Sequence, residues 1–437
     1  MAEISTGVTT LTNLDGLFKT VYGPSLKNLQ PDGLILQDKI GFSERHRHGD
    51  KYQIPVLLAY EHGFTYAKTG AGAFALGGNV PGQTKAAEIQ GSELVMQGAL
   101  PYEAASRSVG GNKRAFLQAS ELLVTSMWES AKRRLEISMF YGSASIGRIH
   151  ATTAPASGVV TLTDADFAPG IWSGMEGARL ESTTTHQYPG NGTSVTKHAE
   201  IYIVDAVDID AKTITVSLTT DPGVADEGAL TVDDYLWFEG EYGATGVAGT
   251  YQNNMMGLHS ILDTTELLFG IDPTEYSLWK AHEEDAGGTD LSFATVQKAC
   301  ATASSKGMTS DALLIIPAVT WANIMTDKAA LRRFTGSDGG RSAYEIGAEK
   351  ITFFTQTGKM EVVPSIYCKE GYAYLISPKD FDRIGSSDLT FERPGAEGKF
   401  FRDLSSNAGY EMRLWSDQAL FNCAPGKCVL IHNIVNS

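Results

Sequence analysis

Apolar positions recur with helical spacing along residues 112–141 more persistently than anywhere else in the chain. Phe116, Ala119, Leu123, Met127, Ala131, Leu135 and Met139 fall three or four residues apart, which puts them on one face of a helix. Asn112 stands where an N-cap belongs, and Gly142 where a helix stops. At about 1.5 Å per residue this helix is on the order of 40 Å long, a spine rather than one member of a small bundle. Its basic cluster, Lys132, Arg133 and Arg134, lies toward the C-terminal half, where the helix dipole favours cations.

Strand-like alternation dominates on either side. Residues 51–67 and 86–108 alternate, and residues 68–84 between them are dense in Gly and small side chains. Two strands with a long glycine-rich return make an elongated hairpin, assigned to residues 51–105. Such a hairpin is marginal in water on its own. Its apolar tip, Ala73-Phe74-Ala75-Leu76, therefore requires a partner surface. Ahead of it, residues 1–50 hold short apolar bursts between Gly and Pro, an extended arm that must pack on something else.

Residues 155–250 change texture to short strands with Asp and Gly turns, interrupted by a helical signal around residues 170–180. They read as a β-rich insertion, and residues 251–290 as a loop-like connecting segment. Residues 291–387 bring an amphipathic helix starting near Leu291, a buried strand running into a helix, and further alternating strands. Long strands at 388–421 and a last strand within 422–437 close the chain. The fold class is α+β.

A hydrophobic content of 42% is ample for a core, and 437 residues suit two to four compact subdomains. No apolar run approaches a membrane span, and the opening MAEISTGVTT lacks the regions of a secretory signal. The chain is thus expected to be soluble and non-secreted. With 35 Lys and Arg against 51 Asp and Glu, its charge of −16 disfavours tight nucleic-acid binding. Cys300, Cys368, Cys423 and Cys428 are too scattered for a disulfide framework and read as buried thiols.

Chemical motifs are weak. No phosphate loop, zinc-protease helix or nucleophile elbow occurs. The run Arg45-His46-Arg47-His48 reads as a polar turn, with an inter-subunit, nucleic-acid or metal contact as alternatives. His282-Glu283-Glu284-Asp285 reads as a solvated turn. The pairs Asp164/Asp166, Asp208/Asp210 and Asp233/Asp234 read as strand-end turns, because none fits a calcium loop. No catalytic group, cofactor or metal is expected.

The order of parts is more informative. Arm and hairpin both carry apolar surface that they cannot cover themselves, which favours self-assembly. In that order the sequence resembles the major capsid proteins of tailed phages with the HK97-like fold. The resemblance is carried by residues 61–76 (EHGFTYAKTGAGAFAL), 100–142 (from LPYEAASRS to the helix end SMFYG), 170–178 (GIWSGMEGA), 234–240 (DYLWFEG) and 257–281. It implies an N-arm at 1–50, an E-loop at 51–105 and a P-domain built from the spine helix (106–150) and the strands at 388–421. It further implies an A-domain at 291–387 completed by 422–437, with 155–250 where some members carry an inserted domain.

The function implied is a non-enzymatic shell protein that assembles as hexamers and pentamers around double-stranded DNA. It would be made in the host cytoplasm and reside in the virion, touching the DNA without sequence specificity and no membrane. Portal and decoration proteins are implied partners, and so is a separate scaffolding protein, since the arm begins almost at once. Lys68, Phe74, Leu76 and Lys85 are the implied inter-subunit contacts of the hairpin tip. Lys132, Arg133 and Arg134 either face the packaged genome or form salt bridges along the helix. Some members cross-link Lys to Asn, but no cognate Asn or Glu is identifiable, and that chemistry is not carried over. Two other readings are a β-rich carbohydrate-binding or hydrolytic protein, with Trp237 and Phe238 stacking on a sugar, and an encapsulin-like compartment.

Overall fold

The computed structural model describes residues 33–45, 51–70, 72–101, 113–184, 197–242, 253–263, 267–309, 312–326, 351–355, 358–392, 402–403 and 409–436. His46, Arg47, His48, Asn112 and most of the N-arm lie outside the described residues.

An arm helix, Ile35–Lys39, leads into β1 (Phe42–Glu44). The hairpin strands are β2 (Lys51–Ala59) and β3 (Gln83–Gln90), and β4 (Ser92–Pro101) follows directly. The spine helix, Lys113–Tyr141, has 29 residues. Met127, Ala131, Leu135 and Met139 lie buried along it, as the spacing requires. Next come β5 (Gly147–Arg148), β6 (Val159–Thr161), a short helix Pro169–Trp172, β7 (Arg179–Thr183), β8 (Tyr202–Asp208), β9 (Thr213–Leu218) and β10 (Tyr235–Phe238). A short helix Leu258–Leu262 precedes β11 (His282–Thr289), helix Phe293–Ser305, β12 (Ala312–Ile316) and helix Ala318–Thr326. The chain ends with β13 (Ile351–Thr355), β14 (Gly358–Pro364), β15 (Ala373–Ile376), β16 (Phe381–Thr390), β17 (Arg402–Asp403), β18 (Gly409–Asn422) and β19 (Val429–Ile434).

These strands form four sheets. The first lies along the spine helix: β1 pairs parallel with β16, β16 antiparallel with β18, and β18 takes β4 and β17 as further antiparallel partners. The second has the order β5-β10-β7-β8-β9-β6 and the third β11-β19-β15-β12-β14-β13, while among the described residues β2 and β3 pair only with each other. The main hydrophobic cluster runs without a break from Leu135 and Phe140 of the spine helix into Val160, Tyr202 and Val216 of the second sheet. A separate cluster fills the third sheet under helix Phe293–Ser305.

Three expectations are corrected here. Residues 92–101 are not the return strand of the hairpin, because β4 turns away at Gly91 and pairs with β18 through ten residue pairs, Ser92↔Gln418 to Pro101↔Gly409. The insertion sheet begins at Gly147, and its core is continuous with that of the spine helix. His282–Asp285 is no solvated turn. It pairs in parallel with Val429–His432, and the buried Glu284 carboxylate is held by Lys298 and His282.

The end of the spine helix also differs from expectation. Gly142 still closes the last turn, its N–H donating to Ser138 O at 2.8 Å. The left-handed residue that turns the chain is Ser143, with φ of 67°. Gly142 is required by close approach instead, since a Cβ there would collide with the carbonyl oxygens of Met255 and Ser138.

Candidate functional site

Beyond the β2–β3 ladder the hairpin continues as an extended tip of residues 60–82. His62 N–H donates to Val80 O at 3.1 Å across it, and Gly77 N–H to Thr65 Oγ1 at 2.7 Å. Gly70 and Gly72 turn the chain at the apex with φ of 86° and 69°, where a side chain would be strained. The tip carries Tyr60, Phe64, Tyr66, Phe74, Leu76 and Val80, each between 48% and 92% exposed. Large apolar patches of this kind mark interaction surfaces. Phe74 and Leu76, named from the sequence, are exposed there, and so is Lys68 beside them. Tyr60, Phe64 and Tyr66 were missed, although the alternation of residues 60–66 was there to be read.

The base of the hairpin is gripped by its own chain. Tyr52, Leu58, Ala87 and Ile89 are buried in the main core. Glu88 N–H donates to Phe269 O at 2.9 Å, and Tyr276 Oη donates to Gln83 Oε1 at 2.8 Å. Lys85 belongs to this grip and not to the tip: its ammonium lies 3.3 Å from Glu275 and 4.8 Å from the centre of the Tyr276 ring. Those partners hold it in the charged form and raise its pKa.

The basic cluster of the spine helix is engaged within the chain. The buried Arg133 guanidinium donates to the carbonyls of Gly170, Ile171 and Ser173, the last turn of helix Pro169–Trp172. Arg134 lies flat on the Phe238 ring, 3.2 Å from its centre. Lys132 lies 5.6 Å from the Trp128 ring centre, and its backbone carbonyl accepts from Gln37 Nε2 at 2.6 Å. Neither arginine is presented to a polyanion. Sequence spacing could not show this, because their carbonyl and ring partners lie more than 35 residues away.

Arg134 also borders a cleft of about 230 Å³, lined by Glu93, Ser138, Glu241, Asn254 and Gln418 among others. Burial pushes the Glu241 carboxyl up to about 7 against the opposing pull of Arg134. Among the described residues no His, Cys or Lys lines this cleft. Among the described residues no group of three His, Cys, Asp or Glu side chains could hold a metal ion, and no helix is long and apolar enough to cross a membrane.

Trp237 and Phe238 are unavailable to a sugar. Both are buried; Trp237 donates its indole N–H to Thr183 Oγ1 at 2.8 Å and meets Tyr242 edge-on. The acidic pairs do local work: Asp234 accepts from Thr231 N–H at 2.7 Å, and Asp166 meets Lys369 at 3.2 Å.

No protein-family model and no curated protein matches the sequence. Solved structures do. The capsid asymmetric unit of cyanophage A-1(L) aligns over 98% of this chain and 99% of that one, with 11% identity and a TM-score of 0.50. A capsid of the native GTA particle aligns over 99% and 100%, with 8% identity and a TM-score of 0.48. A holo-encapsulin complex from Synechococcus elongatus PCC 7942 aligns over 99% and 97%, with 8% identity and a TM-score of 0.40. On the alignment with the cyanophage subunit the chain has the HK97-like capsid fold, an α+β architecture with the spine helix and long strands as its frame.

Proposed function

We propose that this chain is the major capsid protein of a tailed phage, and that it assembles as hexamers and pentamers into an icosahedral shell around double-stranded DNA. The observation that carries this reading is the agreement of fold along 98% of the chain with a phage capsid subunit. The exposed hairpin tip supports it, because a monomer has no use for six large apolar side chains on an arm that its own core does not reach. The role is structural and non-enzymatic. Its partners are copies of itself, a scaffolding protein, portal and decoration proteins, and DNA held without sequence specificity.

Charge favours one orientation. Residues 155–242 hold 15 carboxylates against Arg179, Lys197 and Lys212, a net −12 of the chain's −16. Asp208, Asp210, Asp221, Asp226 and Asp233 are exposed there. Such a surface repels phosphate, so the insertion belongs on the outer side of the shell and away from the genome.

Assembly follows from area. Each subunit contact is modest alone, and the arm and hairpin add contacts beyond the compact body. The test is negative-stain electron microscopy with light scattering on the purified chain, alone and with a co-encoded scaffold. Shells or capsomer-sized rings are expected, and deletion of residues 68–82 should abolish them. A monomer under every condition would overturn the reading.

A further inference from the structure

The hairpin ladder changes register once. From Lys51↔Gln90 to Leu57↔Thr84 the partners advance in step, and then Ala59 pairs with Gln83, which leaves Leu58 without a partner of its own. Before this bulge the side chains that pack inward onto the subunit are Tyr52, Ile54, Val56 and Leu58 on β2, with Ala87 and Ile89 on β3. On the unbulged strand β3 the alternation is uninterrupted. Odd positions therefore face the subunit and even positions, such as Ala86 and Thr84, face away. A bulge inserts one residue on one strand only, so it exchanges the faces of everything beyond it on that strand.

The shifted register runs on into the tip. His62 bonds to Val80, and both Ala59↔Gln83 and His62–Val80 keep the same offset. Carried forward, that offset sets Tyr60 opposite Gly82, Phe64 opposite Gly78, Tyr66 opposite Leu76 and Lys68 opposite Phe74. All six large apolar residues thus occupy even register positions on both arms. The odd positions hold Glu61, Gly63, Thr65, Ala67, Ala73, Ala75, Gly77, Asn79 and Pro81, which are small or polar. On β3 the even positions are those that face away from the subunit.

We infer that the unpaired Leu58 turns the apolar side of the hairpin tip away from its own subunit and onto a second copy of this chain. The inference rests on the capsid reading above and adds which side of the tip makes the contact and what orients it. A second copy is the fitting occupant on two grounds. Together the six side chains expose on the order of 800 Å², about what one partner contributes to a stable protein–protein interface. The tip also carries little net charge, with Glu61, His62 and Lys68 its only acidic or basic side chains, so neither a polyanion nor a basic partner is selected.

Two one-residue changes of opposite sign test it in the full-length chain. Inserting one alanine between Gln83 and Thr84 gives Leu58 a partner, removes the bulge and turns the apolar side inward. Deleting Leu58 removes the bulge from the other strand and keeps Tyr60 opposite Gly82, with the apolar side outward. The insertion should cut shell or capsomer yield at least tenfold with melting unchanged, and the deletion should stay within about threefold of the parent. Equal assembly by the insertion variant, or equal loss by both folded variants, would overturn the inference.

A readout independent of folding comes from single cysteines in a Cys423→Ser background. In assembled particles Tyr66→Cys should be protected from a maleimide and Ala67→Cys should react; equal reactivity would overturn the inference. Failure of the parent chain to assemble at all is a separate result, and it removes the capsid reading itself.

Discussion

The Glu136 carboxylate accepts the backbone N–H of Leu36 at 2.7 Å, joining the spine helix to the arm across a hundred residues. Gln37 adds its backbone N–H at 3.1 Å and its side-chain amide at 3.2 Å. All these donors are neutral, and burial wins over them: the Glu136 carboxyl is pushed up to about 7. A carboxyl whose folded pKa lies above its unfolded value of 4.5 contributes stability that is complete below 4.5 and is lost as pH rises through about 7. Stability should therefore fall between pH 5 and 8, by up to about 3 kcal/mol from this group. Glu241 contributes in the same direction. In Glu136→Gln the loss over that window should be clearly smaller, read as denaturant midpoints at pH 5 and pH 8. Parallel curves for parent and variant would refute the assignment.

Arg133 makes a different prediction from the one its sequence context suggests. Its guanidinium caps three carbonyls of the turn at 170–173, and burial lowers its pKa. Arg133→Met leaves those carbonyls without their donor, a loss of about 3 kcal/mol by analogy with other buried charged hydrogen bonds. The loss should be insensitive to salt, because the partners are carbonyls and not carboxylates. A surface role would instead leave melting unchanged and weaken binding of the chain to DNA.

The spine helix was legible because its apolar positions recur every three to four residues, and local spacing is all that a helix needs. The third sheet was legible in outline, since Ala312–Ile316 is a run of apolar residues that only a buried strand accommodates. What stayed hidden depends on distant partners. Residues 92–101 alternate as well as any hairpin strand, and only β18, about 300 residues later, takes them out of the hairpin. Glu284 looks solvated among its charged neighbours until Lys298, one helix away, covers it. The bulge at Leu58 leaves no mark in composition, yet it decides which side of the tip is apolar.

Thiol chemistry should distinguish one cysteine from the rest. Cys300, Cys368 and Cys428 are buried, and burial pushes the Cys300 and Cys428 thiols up to about 11 and Cys368 higher still. Cys423 is exposed, with its thiol raised more modestly by partial burial and Asp380. Reaction of the native chain with a maleimide at pH 7 should add one label quickly, and the denatured chain should take four. Loss of the fast label in Cys423→Ser completes the test. Rapid labelling of any second position in the native chain would contradict the packing around these residues.

Adjacent residues at the end of the spine helix should respond in opposite directions. Gly142 N–H bonds back to Ser138 O, and Gly142 O accepts from Gly257 N–H at 2.7 Å, so two backbones touch where the helix meets the segment leading to Leu258–Leu262. A methyl group at 142 has no room on either side, since Met255 O and Ser138 O flank the Cβ position. Gly142→Ala should cost about 3 kcal/mol or more, as overpacking against backbone cannot relax through a side-chain rotation. Ser143, by contrast, holds φ of 67°, a conformation that costs a side chain roughly 1 kcal/mol and costs glycine nothing. Ser143→Gly should then be neutral or stabilising by up to about 1 kcal/mol. Denaturant titration of both variants decides it: a harmless Gly142→Ala, or a Ser143→Gly loss beyond about 1 kcal/mol, would mean that the turn is held differently.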